Sequence, residues 1–359
     1  MQKRIRVIGI ESSCDETSVS VVQKNGNKID VLSNIVKSQI EIHKFYGGVV
    51  PELAARAHSD IIDKLISRAL IEAKTSFKQI DAIAATAGPG LLGGLLVGVV
   101  ASKTLAHYLK KPFIAVNHLE GHALSIRLEQ DINYPYLLLL VSGGHTEFTI
   151  IKNFNSYKRI GTTIDDALGE AFDKTARLLK MGYPGGPEIE KYAALGDENR
   201  FQLPMPLIHE SNAHFSFSGL KSAVANIVAK NRCTEKFKKD MAASFQATIN
   251  KIIFTKTQNA VREYKRVIKS KKTVKVVVAG GVAANKSIRR SLKALESIED
   301  CQFLFPSIKY CTDNGAMIAL AGIERFERKK FNNLNFKPRP RWPLDKNAVF
   351  MKGKRAVGE

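Results

Sequence analysis

The residues of this chain best suited to chemistry lie between Asn117 and Ser125, which read Asn-His-Leu-Glu-Gly-His-Ala-Leu-Ser. His118 and His122 stand four positions apart, so on a helix both imidazoles project from one face, one turn from each other. A single helix commonly supplies two ligands to a divalent metal in this way. Two packing or surface histidines would show the same spacing. The chain, however, holds only 8 histidines, and Asp313, in the loop Cys311-Thr-Asp-Asn-Gly315, offers a third ligand. Two imidazoles and one carboxylate leave coordination positions open, the pattern of a catalytic rather than a structural metal. Glu120 sits two residues from each histidine, roughly 200° around the helix from the metal-bearing face. It is badly placed as a base for a metal-bound water, which counts against the zinc peptidases with H-E-x-x-H or H-x-x-E-H motifs.

Other stretches have the small or polar residues that hold phosphates and nucleotides. Ser142-Gly-Gly-His145 follows the apolar run Tyr136 to Val141 and suits a backbone phosphate cradle, although a plain Gly-Gly hairpin would look the same. Asp166, Glu170 and Asp173 recur at i, i+4 and i+7 on one helix face, which is either solvated or partnered by a hydroxyl, amine or cation. Tyr183-Pro-Gly-Gly-Pro187 reads as a rigid turn. From Val276 to Asn285 the pattern is strand, glycine turn, helix start. An adenine or ribose could approach the backbone there and hydrogen-bond Asn285; an ordinary strand-to-helix loop is the alternative. Gly88-Pro-Gly-Leu-Leu-Gly93 matches G-x-G-x-x-G, but no acidic residue lies near twenty positions on. That disfavours a nicotinamide or flavin site and leaves a close backbone turn. No Walker A sequence occurs.

The elements that must position these residues follow from hydrophobic periodicity. Residues 4–23 read as a hairpin with the polar tip Glu11-Ser-Ser-Cys-Asp-Glu16, and a third strand follows near 29–36. A helix over 51–73 has Pro51 in its first turn. Strand 80–86, helix 91–109 and strand 112–116 then deliver the chain to His118. The order repeats: strands 136–141 and 146–152 flank the Ser142 tip, helices cover 164–180, 218–229 and 235–270, and strand 274–279 is followed by helix 285–295. Strand 302–305 and helix 313–328 complete it. The long helix carries Phe237, Met241, Phe245, Ile249, Ile252 and Ile253 as a core stripe. Lys238, Lys239, Lys251, Lys256 and a cluster over 262–275 lie mainly off it, as a solvated face or a phosphate-binding track.

Two halves, each opening with a hairpin and continuing with alternating helices and strands, predict a duplicated α/β domain with a cleft between the copies. This is the order of the actin-like ATPase and sugar-kinase superfamily, whose hairpin tips hold phosphates with backbone amides. The division expected is 1–133, 134–330 and a basic extended C-terminal arm over 331–359.

The composition suits such a chain. With 359 residues, 44% hydrophobic and 25% charged, it is ordinary globular material for two domains. Lys+Arg 55 against Asp+Glu 34 leaves a net charge of +21, which fits a polyanionic partner such as nucleic acid or the lysine drift of an AT-rich genome. The 4 cysteines show no paired spacing, so neither a disulfide framework nor a zinc ribbon is indicated and a reducing cytoplasm is expected. Charged residues interrupt the N-terminus before a signal-peptide core could form. The charge-free stretch 82–102 is broken by Gly88-Pro-Gly90 and Gly93-Gly94, so no membrane span is expected.

Taken together the strings resemble one family, the tRNA threonylcarbamoyladenosine biosynthesis proteins TsaD, formerly described as O-sialoglycoprotein endopeptidases. The matching strings begin with Gly9-Ile-Glu-Ser-Ser-Cys-Asp-Glu-Thr17, Pro51-Glu-Leu-Ala-Ala-Arg56, Ala87-Gly-Pro-Gly-Leu91 and Asn117-His-Leu-Glu-Gly-His122. Next come Leu140-Val-Ser-Gly-Gly-His-Thr146, Ile164-Asp-Asp-Ala-Leu-Gly-Glu-Ala-Phe-Asp-Lys174 and Tyr183-Pro-Gly-Gly-Pro187. Phe215-Ser-Phe-Ser-Gly-Leu-Lys221, Ala279-Gly-Gly-Val-Ala-Ala-Asn285 and Cys311-Thr-Asp-Asn-Gly-Ala-Met317 complete the set, in family order.

The resemblance implies an actin-like (ASKHA) α/β fold of two duplicated RNase H-like domains with the site in the cleft between them. It implies one divalent metal, iron(II) or zinc, on His118, His122 and Asp313. It implies that Leu140, Val141, Ser142, Gly143, Gly144, Asp173, Gly186 and Asn285 hold an adenylate; Glu190 is added, though that position varies in the family. The implied activity moves a threonylcarbamoyl group from threonylcarbamoyl-AMP to the exocyclic amine of the adenosine beside the anticodon, in tRNAs that read codons beginning with adenine. AMP leaves. Glu11 and Asp15, on the first tip, are the candidates for taking the amine proton or positioning the nucleotide. The implied partners are tRNA, a smaller inactive paralogue and a P-loop ATPase, in the cytoplasm and without a membrane. A small-molecule kinase of the same superfamily and a metallopeptidase are the alternatives; the kinase has no need of His118 and His122.

Overall fold

A computed structural model describes residues 4–352 and 355–357, so residues 1–3 and the arm positions 353–354 and 358–359 lie outside the described residues. The chain divides into two compact units, one of residues 1–132 and 306–344, the other of 133–305 and 345–359.

Unit 1 opens with β1 (Ile5–Glu11), β2 (Glu16–Asn25) and β3 (Lys28–Ser38), an antiparallel meander of alternating Val, Ile and Ser. After α1 (Ile40–His43) comes α2 (Pro51–Glu72), with proline at a position where its missing N–H costs nothing. Next are β4 (Ala82–Gly88), α3 (Leu92–Leu109), β5 (Phe113–Asn117) and α4 (His118–Leu124). The sheet order is β3-β2-β1-β4-β5, and β1, β4 and β5 run parallel. Glu11, Thr86 and Asn117 therefore come to the same edge, the carboxyl ends of the parallel strands.

Unit 2 holds β6 (Tyr136–Val141), β7 (Thr146–Asn153), β8 (Ser156–Thr162), α5 (Leu168–Leu178), α6 (Gly185–Ala193) and α7 (Ser218–Ala229). It continues through α8 (Glu235–Ile268), β9 (Val274–Ala279), α9 (Lys286–Leu295) and β10 (Cys301–Leu304). Its sheet order is β10-β9-β6-β7-β8. The chain then re-enters unit 1 as α10 (Ile308–Cys311) and α11 (Gly315–Glu327). β11 (Phe350–Lys352) and β12 (Arg355–Val357) form a short antiparallel ribbon.

Several features depart from the periodicity. β8 and α6 carry no strong apolar alternation; α6 opens Gly-Gly-Pro, which looks like a turn, yet proline is tolerated in a first helical turn. The helix expected from 164 begins at Leu168, because Thr163 Oγ donates to the Asp166 carbonyl (2.6 Å) and closes a turn first. The stripe on α8 is buried as its spacing suggests, but Lys256, placed off it, is wholly buried too. Its amine donates to the carbonyls of Glu210 (2.9 Å) and Asn212 (3.1 Å). The largest departure is the return to unit 1, where the sequence division keeps residues to 330 in the second domain. Every residue of α11 from Gly315 to Glu324 is buried, and the helix packs on β1, β2 and β4. Residues 331–344 follow it: Asn332 pairs with Phe113, Phe336 and Trp342 pack against the core, and Arg339 N donates to the Ala87 carbonyl at 2.7 Å.

The charge-free stretch 82–102 is a strand, a turn and most of α3. By length and composition α3 alone among the described helices could cross a membrane; Leu95, Val99 and Ala106 bury one of its faces, against β4 and α2.

α11 lies on β1 with no side chain between them. A Cβ at Gly9 would stand 2.3 Å from the Gly315 carbonyl oxygen and 2.4 Å from Ala319 N. Alanine at Gly9 must therefore push helix and sheet apart, and Gly9→Ala should lower unfolding stability by about 1–3 kcal/mol. An unchanged urea midpoint would show that the contact is softer than it looks.

Candidate active site

Three chain segments build a buried cluster at the strand edge of unit 1. Asn117 ends β5 and caps α4, its side-chain oxygen accepting from Leu119 N at 2.9 Å, so that His118 and His122 fall in the first turns. Asn314 caps α11 in the same manner (3.0 Å from Met317 N), which leaves Asp313 just ahead of the helix. β1 delivers Glu11. All seven residues of α4 are buried.

His122 Nε2 lies 3.0 Å and His118 Nε2 3.4 Å from Asp313 Oδ1. The imidazole rings meet edge to face, 4.7 Å between centroids. The three donor groups come within 4.8 Å of one another. An ion with arms of about 2.1 Å in tetrahedral array holds its donors roughly 3.4 Å apart, so these separations suit one small divalent cation. Nδ1 of His122 is buried with no hydrogen-bond partner. The donor set fits a metal.

Glu11 stands behind His118. Its Oε1 accepts from Ser13 N (2.7 Å); Oε2 faces His118 Nδ1 at 3.0 Å and also accepts from the Thr86 hydroxyl. The carboxyl is fully buried with both oxygens engaged. This holds the imidazole with Nε2 toward Asp313, the orientation a carboxylate partner imposes on a metal-ligating histidine. Ser13 and Thr86 have no motif of their own. Thr86 shows in the sequence only as the one polar residue of the apolar strand Ala82–Gly88.

The charges are tightly linked. Burial alone would lower the His118 pKa, but the Asp313 and Glu11 carboxylates raise it well above the ordinary imidazole value. Burial alone would raise both carboxyls; facing His118, and for Asp313 also His122, they are held below the carboxylate range instead. Two carboxylates thus confront the buried His118, and a cation would relieve that excess. On the tip, burial followed by the Asp313 and Asp15 charges pushes the Glu16 carboxyl well up. Asp15 is partly exposed, and its carbonyl accepts from Gln39 N at 2.9 Å.

In unit 2 the second set of expected residues also comes together. Leu140 and Val141 are buried in β6 and offer only backbone. The tip is closed by Ser142 N donating to the His145 carbonyl (2.8 Å), and Gly143 and Gly144 are exposed with open space where a Cβ would stand. Gly280 has φ +94°, and a Cβ there would lie 2.4 Å from the Val141 carbonyl oxygen, so the β9 turn can sit on the tip only as glycine. Gly169, in the first turn of α5, is as close to Gly143, 2.8 Å from a virtual Cβ to its Cα.

Asp173 Oδ1 accepts from Gly185 N (2.7 Å), fastening α6 to α5, and Gly186 faces open space. Glu190 Oε1 accepts from Lys286 N at 2.6 Å. Asn285 caps α9, accepting from Ile288 N (2.9 Å) and donating to Gln246 Oε1 (2.9 Å). Asp173, Glu190 and Asn285 thus hold the frame, and open space lies over Gly143, Gly144 and Gly186. Asp166 and Glu170 face Lys174 at 2.8 and 2.9 Å, so that carboxylate row has its cation within the chain. Sequence reading missed Asp165, whose carboxylate gathers Ser216 Oγ (2.6 Å), Phe217 N (2.8 Å) and Ser218 Oγ (2.8 Å) at the start of α7.

A family model described as "TsaD: tRNA N6-adenosine threonylcarbamoyltransferase" matches residues 30–320. The chain is 52% identical over 354 residues to the tRNA N6-adenosine threonylcarbamoyltransferase of Pelagibacter ubique, covering 98% of this chain and 99% of that one. The protein of the same name from Rickettsia rickettsii is 48% identical over 342 residues, 95% and 98% of the two chains. Among solved structures, HypF of T. kodakarensis aligns with a TM-score of 0.61 at 14% identity, over 93% of this chain and 49% of that one, a likeness of fold alone. Full-length HypF in its phosphate- and nucleotide-bound form gives 0.57 at 14% identity, over 91% and 47%. With a family match across most of its length and relatives near half identity end to end, the chain belongs to the TsaD family of tRNA N6-adenosine threonylcarbamoyltransferases.

Proposed function

We propose that this transferase moves a threonylcarbamoyl group from threonylcarbamoyl-AMP to the exocyclic amine of the adenosine beside the anticodon, in tRNAs that read codons beginning with adenine. The observation that carries the reading is the convergence of His118, His122 and Asp313 on one buried point in a chain of this family. Those three residues would hold a divalent metal, iron(II) or zinc, which when bound supplies Lewis acidity to the acyl group.

The chain's own groups do the rest. Glu11 orients His118 and, with both oxygens engaged, serves as a positioning group. Asp15, partly exposed on the same tip, takes the proton that the amine nitrogen loses as it bonds to the carbamoyl carbon and the bond to AMP breaks. The Gly143 and Gly144 amides of the Ser142–Gly144 tip, with Gly186 and the turn before Asn285, receive the adenylate phosphate and nucleoside, while Ser142 N closes the tip on the His145 carbonyl. Asp173 and Glu190 keep that frame closed. The identical strand order of the two sheets supports the view that the units are copies of one RNase H-like domain of the actin-like (ASKHA) fold. A net charge of +21 suits tRNA phosphates, and 4 free cysteines suit the cytoplasm. A smaller paralogue and a P-loop ATPase are the partner proteins; Leu92, Leu96 and Val100, exposed at i, i+4 and i+8 of α3, offer the paralogue an apolar face.

Supplied with those partners, threonine, bicarbonate, ATP and unmodified tRNA, the protein should yield modified adenosine detectable by nucleoside mass spectrometry. His118→Ala and Asp313→Ala should each reduce the product at least about 100-fold, as loss of a metal ligand does. Undiminished product from either variant would sink the proposal.

The charge linkage sets the pH dependence of metal uptake. Because Asp313 and Glu11 raise the His118 pKa, the metal-free imidazole keeps its proton at neutral pH, and an incoming ion must expel it. Apparent zinc affinity should therefore climb as pH rises through neutrality, and calorimetry in two buffers of different ionisation heat should register proton release. Affinity flat between pH values of about 6 and 8 would contradict the linkage.

A further inference from the structure

Glu120 lies on the face of α4 away from Asp313 and is 1% exposed. It meets the far end of α11: Arg325 donates to Glu120 Oε2 from Nη2 at 2.5 Å and from Nε at 3.2 Å. Its other oxygen, Oε1, is buried without a hydrogen-bond partner. One position back, Glu324 accepts from Arg127, just past α4, at 2.7 Å and from Arg328 at 2.7 Å. The segment 120–127 is thus fastened by two adjacent carboxylate–guanidinium contacts to the last turn of the helix whose first turn follows Asp313.

Stability alone does not explain such a pair. A buried carboxylate with one oxygen unsatisfied is costly, and apolar side chains of similar volume would serve the interface as well or better. Between the two ion contacts and the histidines the interface is smooth. Gly121 lies against the flexible side chains of Ile318 and Met317, where a Cβ would come within 2.9 and 3.0 Å. Small residues and flexible apolar side chains let one helix slide on another, and a charge pair is the usual device that fixes one register.

We propose that the Glu120–Arg325 pair sets the register of α4 on α11 and so positions His118 and His122 relative to Asp313 for the metal. Glu120 is then a positioning residue that acts behind the ligands and touches neither metal nor substrate. This rests on the reading of His118, His122 and Asp313 as the metal ligands.

The test uses purified full-length protein with cobalt(II) as spectroscopic probe and zinc for calorimetry. Variants are Glu120→Gln, Arg325→Met and the double variant Glu120→Leu/Arg325→Met, which leaves no uncompensated charge. The single variants should lose about tenfold or more in zinc affinity. The double variant should regain the urea midpoint of the metal-free wild type, yet keep the weakened affinity and an altered cobalt absorption spectrum. A double variant with wild-type affinity and spectrum would overturn the inference, since the pair would then serve stability alone. A wild type that takes up no cobalt would overturn the ligand reading itself, and this inference with it.

Discussion

Helix α11 touches the backbone of β1 with nothing in between, and the cluster at the strand edge of unit 1 depends on that contact. Along the chain Asp313 is separated from His118 by residues 133–305, the larger segment of unit 2. It reaches the histidines because Gly9 and Gly315 let the helix lie on the sheet itself, with its capped N-terminus at the carboxyl edge of β1 and β5. A helix standing off by the usual side-chain thickness would lift the carboxylate beyond the reach of Nε2. Glycine in β1, a poor strand former by itself, is retained where geometry outweighs propensity.

The same edge illustrates how burial and charge cooperate. Each of Glu11, His118 and Asp313 would be driven toward its neutral form alone, and each is kept charged by the others. Such a set is stable only as a set. Removing one carboxylate leaves a buried imidazole with less reason to hold a proton, and removing the imidazole leaves two carboxylates in mutual repulsion. In the proposed metal site a divalent cation would replace the proton and offset the carboxylate charge, so the cluster would favour positive charge before any substrate arrives.

Much of this was legible in the residues. Valine- and isoleucine-rich strands and Pro51 mark β1, β2 and α2 through local rules, and i, i+4 spacing singles out His118 and His122. Local rules also show their limits. They place Asp313 at a helix start but do not say which sheet receives the helix, because that depends on backbone contacts at two glycines far apart in sequence. They read Gly185-Gly-Pro187 as a turn, since a proline in a first turn looks the same as one in a loop. They classed Lys256 by its charge, while its burial is decided by two carbonyls from a distant loop. They also offered Glu11 as a base; only the positions of Ser13, Thr86 and His118 show that its oxygens are already engaged.

The return of residues 306–344 to unit 1 has a consequence for biosynthesis. A ribosome releases the β1–β5 sheet and both histidines early, then makes residues 133–305 of unit 2 before α11 emerges. At usual elongation rates that interval is about ten seconds or more. Until then the sheet face that α11 covers is bare, and the histidines lack their carboxylate. On the proposed metal reading, a nascent or prematurely terminated chain would carry an incomplete ligand set, and metal loading would be reserved for molecules synthesised nearly to the end.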